Sequence, residues 1–317
     1  MDRNLALEAV RITEAAALAS ARLMGRGDVV AADRAAVDAM QKAFRSISIQ
    51  GRVVIGDGDE DDDNSLFIGK IVGNQSGPEL DVALDPLEGA AICATGGFNG
   101  LSIIAFSQRG AFLSCSETSM EKIVVGPDGI GHIDLDKSPT DNLRALADAK
   151  SVYVADLTVA MLDRPRHEEL IEEVRRAGAR VKLLSDGDVA AGIATAKAES
   201  GIDMLLGTGG SSQGVLTAAA MRCIGGDMQA RFRPRNAQEA GELRDMGITD
   251  VAKKWTAEEM ASGSVMFAAT GVTNGDLVHG VRFFKGGAKT NSIVMRSRSH
   301  TLRFIEAIHR FDLKPEY

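Results

Sequence analysis

The chain has 317 residues, room for one large or two ordinary domains at about 150 residues each, and its 44% hydrophobic and 25% charged content is that of a globular protein. A net charge of −8, from 44 acidic against 36 basic residues, works against a nucleic-acid partner, because phosphate backbones are bound by clustered Lys and Arg. Three cysteines without CxxC spacing provide neither a disulfide framework nor a thiolate metal site, and charged or polar residues interrupt every apolar run before the ~18 residues of a membrane span. The opening MDRNLALEAV lacks the basic start and apolar run of a secretory signal, so a cytoplasmic protein with reduced thiols is expected. Many glycines (34) with few aromatics (4%) imply an enzyme with backbone-built binding loops.

Leu5 to Met24, rich in Ala, Leu and Glu, predicts a long helix ended by Arg26-Gly27-Asp28. Val37, Met40 and Phe44, spaced three and four apart, put an apolar stripe on a second helix over Ala32–Phe44. Short apolar runs at Arg52–Ile55, Leu80–Leu84 and Leu101–Phe106 read as buried strands, and 108–125 as further strands with loops. From about residue 150 strands (Ser151–Ala155, Arg180–Leu184, Asp203–Leu206) alternate with helices (Arg166–Ala177, Val189–Ala198, Ser211–Cys223). That alternation implies a parallel sheet with helices on its faces. Asn236–Gly263 reads as helical and charged; Val265–Ala269, Val278–Phe284 and Ser292–Arg296 read as strands. The turn-rich Lys137-Ser-Pro-Thr-Asp141 suggests a boundary there, giving domains 1–145 and 146–317.

Chemistry concentrates in a few stretches. Directly after a predicted strand, Asp57 to Asp63 holds six acidic residues in seven. Like charges repel, so this is either a solvated acidic loop or a set of carboxylates sharing a hard divalent cation. It is not an EF-hand: counted from Asp57, position six is Asp62 and position twelve Ile68. Asp85-Pro86-Leu87-Glu88-Gly89 also ends a predicted strand, with Pro86 expected to stop the ladder. Its acids either bind one cation or form an Asp-Pro turn that caps a helix at Gly89. Arg164 and Arg166 flank Pro165 before a charged helix, where guanidinium forks either hold phosphate or are merely solvated. Gly209-Gly210 before a helix makes an anion-friendly nest. The five histidines show no ligand spacing and read as surface or core; the cysteines, methionines and Trp255 read as packing.

The acidic glycine-rich strand end and the D-P-L-E-G turn together are similar to the lithium-sensitive sugar and inositol phosphatase superfamily. Within it the chain resembles class II fructose-1,6-bisphosphatase, through RNLALEAVRITEAAALASA, Ala31-Ala32-Asp33, Gly77-Pro-Glu-Leu-Asp81, Met120-Glu121-Lys122, Leu162-Asp-Arg-Pro-Arg-His167, Asp186-Gly-Asp188, Gly209-Gly210 and Ala269-Thr-Gly-Val-Thr273. The motifs occur in order along nearly the whole chain. The resemblance implies an α/β fold, a layered αβαβα sandwich of the sugar phosphatase type.

It also implies a metal-dependent phosphatase that hydrolyses fructose 1,6-bisphosphate to fructose 6-phosphate and phosphate, in gluconeogenesis and glycerol metabolism. By that resemblance Asp33, Asp57, Asp85, Glu88 and Gln213 surround Mn2+ or Mg2+, with Asp33 and Asp57 at the catalytic centre. Substrate contacts fall to Glu88, Gly89, Ala90, Ser119, Arg164, Pro165, Arg166, Asp186, Gly187, Asp188 and Gly210. The physical logic agrees, since divalent cations neutralise a phosphate dianion and lower the pKa of a bound water. Asp33 also fits a helix N-cap, and one oxygen can cap while the other binds metal. The expected partner is a small sugar phosphate, with no nucleic acid and no membrane, and the chain is expected to be a homo-oligomer.

The departures from the family fall on the positions that matter most. Ala90 stands where Thr or Ser supplies a hydroxyl to the attacking water, and Gln213 where a Glu ligates metal. Asp57 and Asp59 shorten a G-E-G-E loop, and Ser119 replaces a substrate-contacting Tyr. Together they imply weakened chemistry on a retained scaffold, by natural divergence and not one inactivating change. Two alternatives remain: a catalytically degenerate paralogue that binds sugar phosphate or metal in a regulatory or partner role, and a phosphatase for another sugar bisphosphate or an inositol phosphate, which Ser119 motivates.

Overall fold

A computed structural model describes residues 4–58, 60–62 and 64–313. The chain starts with α1 (Leu5–Ser20) and α2 (Val29–Phe44), then β1 (Gln50–Ile55), β2 (Ile71–Val72), β3 (Glu79–Glu88), the short α3 (Ala90–Thr95) and β4 (Leu101–Gln108). Next come β5 (Ser119–Val125), α4 (Pro139–Lys150), β6 (Thr158–Leu162), α5 (Glu168–Arg176), β7 (Arg180–Leu184), α6 (Asp188–Ala194), β8 (Met204–Gly210), α7 (Ser211–Ile224) and β9 (Asp227–Phe232). After α8 (Ala237–Asp245), β10 (Trp255–Thr256) and α9 (Ala257–Met260), the chain ends in β11 (Met266–Gly271), β12 (Arg282–Phe284), β13 (Gly287–Arg296) and β14 (Thr301–Arg310).

Two compact units result, each a mixed sheet with helices packed on it, the α/β layering that was expected. The first is built from the described residues up to Phe112 and from Ser262 onward; the second is the stretch Leu113–Ala261 inserted between them. This division differs from a boundary near residues 135–150, which fall inside the second unit. Ser138 is the N-cap of α4, accepting from the Asp141 N–H, and Pro139 is its first residue. Ser-Pro-x-Asp, which looks like a turn, is a helix start.

In the first unit the strand order is β12-β13-β11-β4-β3-β1-β2, with β14 on the outer side of β13; β1 and β3 are parallel and the other pairs antiparallel. Ile12, Ala16, Met40 and Phe44 of α1 and α2 share one core with Val82, Leu84, Ile104, Phe106, Ala268 and Val294 of the sheet. Inside it the hydroxyl oxygens of Thr13 and Thr270 lie 2.7 Å apart, so the polar groups on this helix–sheet contact satisfy each other. Helix α2 starts earlier than its apolar stripe implies. Asp28 is its N-cap, accepting from the Ala31 N–H at 2.9 Å, so Asp33 is not the cap but lies inside the helix.

In the second unit the order is β10-β9-β5-β8-β6-β7. The sheet is mixed, not wholly parallel: β6 runs parallel to β7 and β8, whereas β5, which precedes the strand–helix repeats, lies antiparallel between β8 and β9. Ile123 and Val125 of β5 pack with Leu143 of α4 and Val174 of α5, while the alternate Met120 and Lys122 lie against Gly214 of α7. Ser151–Ala155 is not a strand; the strand is β6, a few residues on. Asn236–Gly263 breaks into α8, β10 and α9.

Candidate active site

In the first unit Ile55 of β1 pairs with Ala83 of the parallel β3. Asp57 and Asp85 therefore stand equally far past one paired rung, at the same end of strands about 4.8 Å apart. The acidic loop is pinned at its base. The Asp57 N–H donates to the Leu66 carbonyl at 3.0 Å, and the Leu66 N–H donates back at 2.9 Å. A Cβ on Gly56 would lie 2.0 Å from the Leu66 carbonyl oxygen, so this approach requires glycine.

The charge of this loop is divided. Arg34 of α2 donates to Asp62, and with the Asn64 N–H it holds the Asp62 carboxyl below the usual carboxylate range. Glu60 and Asp61 are exposed, whereas Asp57 is half-buried. Asp59 lies outside the described residues. Burial, and then the charge of Asp57, pushes the Asp33 carboxyl up to about 6; burial raises Asp57 as well, against the opposing Gly58 N–H. Two half-buried carboxyls close enough to repel are what a divalent cation relieves, and an all-oxygen donor set suits a hard one. The residues present fit a metal.

Asp85 is half-buried and its Oδ1 accepts from the Leu87 N–H at 3.1 Å. Pro86 interrupts the β3–β4 ladder but does not stop it: pairing resumes with Glu88 opposite Leu101 after an irregularity that absorbs the missing N–H. Glu88 is only 3% exposed, a burial that carboxylates tolerate when a partner or cation compensates. Gly89 is the left-handed N-cap of α3, and Ala90 is its first residue, its methyl packed against the core. Of the two readings of D-P-L-E-G, the turn that caps a helix at Gly89 is present. Among the described residues the acids form no closed group of three or more; they stand as the Asp33–Asp57 pair and the Asp85–Glu88 strand end.

In the second unit β6, β7, β8 and β9 all run one way and β5 runs against them. The carboxyl ends of those four strands and the start of β5 thus share one edge, the edge where open α/β sheets bind ligands. Ser119 opens β5, half-buried, opposite Gly210 at the end of β8. Pro165–His167 is a 3-10 turn after β6, with Arg164 at its N-cap. Arg166 donates through Nε and Nη2 to the Thr208 carbonyl at 3.2 and 2.8 Å, and Arg164 donates to the Asp163 carbonyl at 2.9 Å. Burial, followed by the charges of Arg164 and Arg235, lowers the Arg166 guanidinium pKa, against the opposing charge of Asp188.

The Asp186-Gly187-Asp188 turn joins β7 to α6, with Gly187 left-handed at the cap. Asp188 is 5% exposed; its Oδ2 accepts from Lys122 Nζ, which also donates to the Gly210 carbonyl at 3.1 Å. Asp188 Oδ1 has no hydrogen-bond partner among the described residues. A Cβ on Gly209 would lie 2.3 Å from Asp188 Oδ2 and 2.8 Å from Lys122 Nζ, so glycine admits the pair. Asp186 is half-buried on the same turn, and Gln213 is half-buried in the first turn of α7.

His167 is buried, and its Nδ1 lies 2.8 Å from the Leu162 carbonyl while Nε2 accepts from the Thr208 N–H at 2.8 Å. It bridges β6 to β8 where their own pairing covers only Val159–Met204 and Ala160–Leu205, a core role as its sequence context implied. Cys93, Cys115 and Cys223 are buried free thiols, and burial pushes Cys93 up to about 11 and Cys115 to about 12. No helix among the described residues is long and apolar enough to cross a membrane.

The family described as bacterial fructose-1,6-bisphosphatase, glpX-encoded, matches residues 3–309. The chain belongs to that family. A D-fructose 1,6-bisphosphatase class 2/sedoheptulose 1,7-bisphosphatase of Synechococcus elongatus is 41% identical over 98% of each chain, and a protein of the same name from another Synechococcus strain matches equally. A third Synechococcus protein of that name is 40% identical over 98% of this chain and 97% of its own. The family is one of metal-dependent phosphatases, so the resemblance to class II fructose-1,6-bisphosphatase holds and the chain is a phosphoric monoester hydrolase by family.

Lys122 is the buried partner of Asp188 that sequence reasoning did not place beside it. It lies in the Met120-Glu121-Lys122 motif, but 66 positions separate it from Asp188 and only the sheet brings them together. The available signal was a lysine directly before the apolar Ile123-Val124-Val125 in a stretch read as strands with loops.

Proposed function

We propose that this chain hydrolyses one phosphate ester of fructose 1,6-bisphosphate, giving fructose 6-phosphate and phosphate, with Mn2+ or Mg2+ held by Asp33, Asp57, Asp85 and Glu88. The observation that carries the substrate assignment is Asp188: a buried carboxylate with one oxygen on Lys122 and the other without a donor, on the strand edge that bears Arg164 and Arg166. A buried acceptor beside guanidinium groups suits a hydroxylated phosphate ester, since the sugar O–H satisfies the carboxylate and the arginines take the dianion. Asp186 accepts a second hydroxyl, and Ser119, Pro165, Gly187 and Gly210 stand on the same strand edge; Gly89 and Ala90 follow the Asp85–Glu88 strand end in the first unit. Gln213 offers a carbonyl oxygen where the family resemblance implies a Glu.

When bound, the divalent cations supply charge neutralisation at the cleaved phosphate and a more acidic water. Asp33, raised to about 6, holds a proton more readily than an ordinary carboxyl, so protons compete with a cation for it as pH falls towards 6. The test is phosphate release from fructose 1,6-bisphosphate, sedoheptulose 1,7-bisphosphate and inositol phosphates with Mn2+ or Mg2+. Release from the inositol ester alone overturns the sugar assignment.

A second reading, a degenerate paralogue that binds sugar phosphate without turning it over, is favoured by Ala90, whose methyl at the start of α3 offers no hydroxyl. Binding of fructose 6-phosphate without phosphate release from any ester supports it. We further propose a cytoplasmic homo-oligomer, supported by the exposed Phe304 and Ile308 on the outer strand β14; a single-protomer mass in solution overturns the oligomer.

A further inference from the structure

The sequence resemblance draws ligand-binding residues from the ends of β6, β7 and β8 and the start of β5, but none from β9. Yet β9 is the fourth strand whose carboxyl end reaches this edge, and it lies directly beside β5. The Arg233 N–H donates to the Ser119 carbonyl at 2.8 Å, so the chain leaving β9 passes alongside the first residue of β5, itself opposite Gly210. The arginines here divide. Arg231 pairs with Asp136, and Arg233 pairs with Glu121 at 2.7 Å. Arg235 comes next, with its side chain 68% exposed.

Arg235 is held by a prepared carboxylate. Glu239 is 7% exposed and accepts from the Thr118 hydroxyl, the Arg235 N–H and the Arg235 Nε, each at 2.7 Å. Asn236 caps α8 by accepting from the Glu239 N–H at 2.9 Å, which fixes Glu239 in the first turn. Thr118 directly precedes Ser119, so Glu239 ties the loop after β9 to the entry of β5. The fork contacts Glu239 through Nε and Nη2, leaving the Nη1 side of the guanidinium for an external acceptor. The charge of Arg235 also reaches Arg166, whose guanidinium it makes less basic.

We infer that Arg235, oriented by Glu239, is a third guanidinium of the phosphate-binding edge and binds the phosphate that a sugar bisphosphate keeps. This rests on the reading of that edge as a sugar-phosphate site. Glu239 is then a positioning residue: it fixes the plane of the fork, so little side-chain freedom remains to be lost when the dianion arrives.

The experiment is calorimetric binding of fructose 6-phosphate to the full chain in Mg2+ at several salt concentrations, for the unmodified protein, Arg166→Ala, Arg235→Ala and Arg235→Gln. Both Arg235 variants are expected to weaken binding about ten- to a hundred-fold, the scale of one lost charge-assisted hydrogen bond. They are also expected to flatten the dependence of affinity on salt, since one fewer cation faces the dianion. A purely structural arginine would change melting temperature and leave the salt slope as it was. If Arg166→Ala weakens binding and neither Arg235 variant does, Arg235 is not in the subsite and the sugar-phosphate reading stands. If Arg166→Ala also leaves binding unchanged, the reading of the edge fails and this inference with it. Arg235→Gln keeps a donor for Glu239, so failure of both Arg235 variants to fold makes the residue structural and overturns the inference.

Discussion

Lys122 and Asp188 form an ion pair with both side chains almost wholly enclosed, 2% and 5% exposed. Burying two charges costs several kcal/mol per ion, and one mutual contact does not fully offset that unless the remaining lone pairs and protons are satisfied. Lys122 finds a second acceptor in the Gly210 carbonyl, whereas Asp188 has no donor for Oδ1 among the described residues. The imbalance falls on the atom proposed to accept a sugar hydroxyl, so ligand binding completes what folding left incomplete.

Lys122→Met is therefore expected to destabilise the protein by about 3–5 kcal/mol, because it leaves a buried carboxylate without its partner. The double variant Lys122→Met with Asp188→Leu should recover most of that loss while abolishing fructose 6-phosphate binding. Denaturant midpoints and calorimetry on the three variants measure both effects. A Lys122→Met protein as stable as the parent would show that the pair is not closed to water.

His167 gives a pH dependence with a definite sign. Burial is the main cause that lowers its pKa, with Arg166 and Arg164 adding to it against the Leu162 contact. The unfolded chain thus takes up the proton first, near the ordinary value of about 6.5, and the folded chain only at lower pH. The stability that neutral His167 contributes is complete above about pH 6.5 and is lost as pH falls through the interval below it. Thermal melts between pH 8 and 5 should show this decline, and His167→Gln should melt lower at pH 8 with a shallower decline. An unchanged slope in the variant assigns the titration to another group.

The sequence made the candidate site stretches legible because they are local. D-P-L-E-G, Arg164-Pro165-Arg166 and Asp186-Gly187-Asp188 each follow an apolar run, so chemistry at a strand end is visible before any fold is known. The Lys122–Asp188 pair, the Glu239–Thr118 bond and the common direction of β6 to β9 are set by strand order and register, which no local window contains. Strands β9 and β14 escaped notice because polar and charged residues recur through Asp227–Phe232 and Thr301–Arg310 and dilute the apolar run. The acidic run shows the opposite error. It looked uniform, but Asp62 is engaged by Arg34 and Asp57 is the half-buried acid beside Asp33.

With Asp33 and Asp57 as ligands of the proposed cation, this pair sets the pH range of metal binding. With Asp33 raised to about 6, protons compete with cations more strongly than at an ordinary carboxylate. Mn2+ affinity, followed by the electron paramagnetic resonance of free Mn2+, should fall as pH drops from 7 to 5. Asp57→Asn should weaken binding at pH 7 and also bring Asp33 down, since it removes the neighbouring charge that helps raise it. Affinity that is level from pH 7 to 5 in the parent would separate Asp33 from the cation site.

The last prediction concerns Ala90 and Gln213. A hydroxyl that aligns or deprotonates an attacking water is a general-base element worth about 10²–10⁴-fold in rate. The methyl of Ala90, packed against the core at the start of α3, supplies none. Gln213 is neutral where the family resemblance implies a Glu, so it offsets less divalent charge. Slow release of phosphate from fructose 1,6-bisphosphate is expected, and Ala90→Thr and Gln213→Glu are each expected to raise it, the double variant most. The measurement is phosphate release per chain for the parent, both single variants and the double, at saturating Mn2+. A parent that already turns over at about 10 s⁻¹, a typical enzyme rate, shows that neither position limits the reaction. A double variant that binds Mn2+ and fructose 6-phosphate normally yet releases no phosphate places the loss elsewhere, and Ser119, at the start of β5 opposite Gly210, is then the position to restore to Tyr.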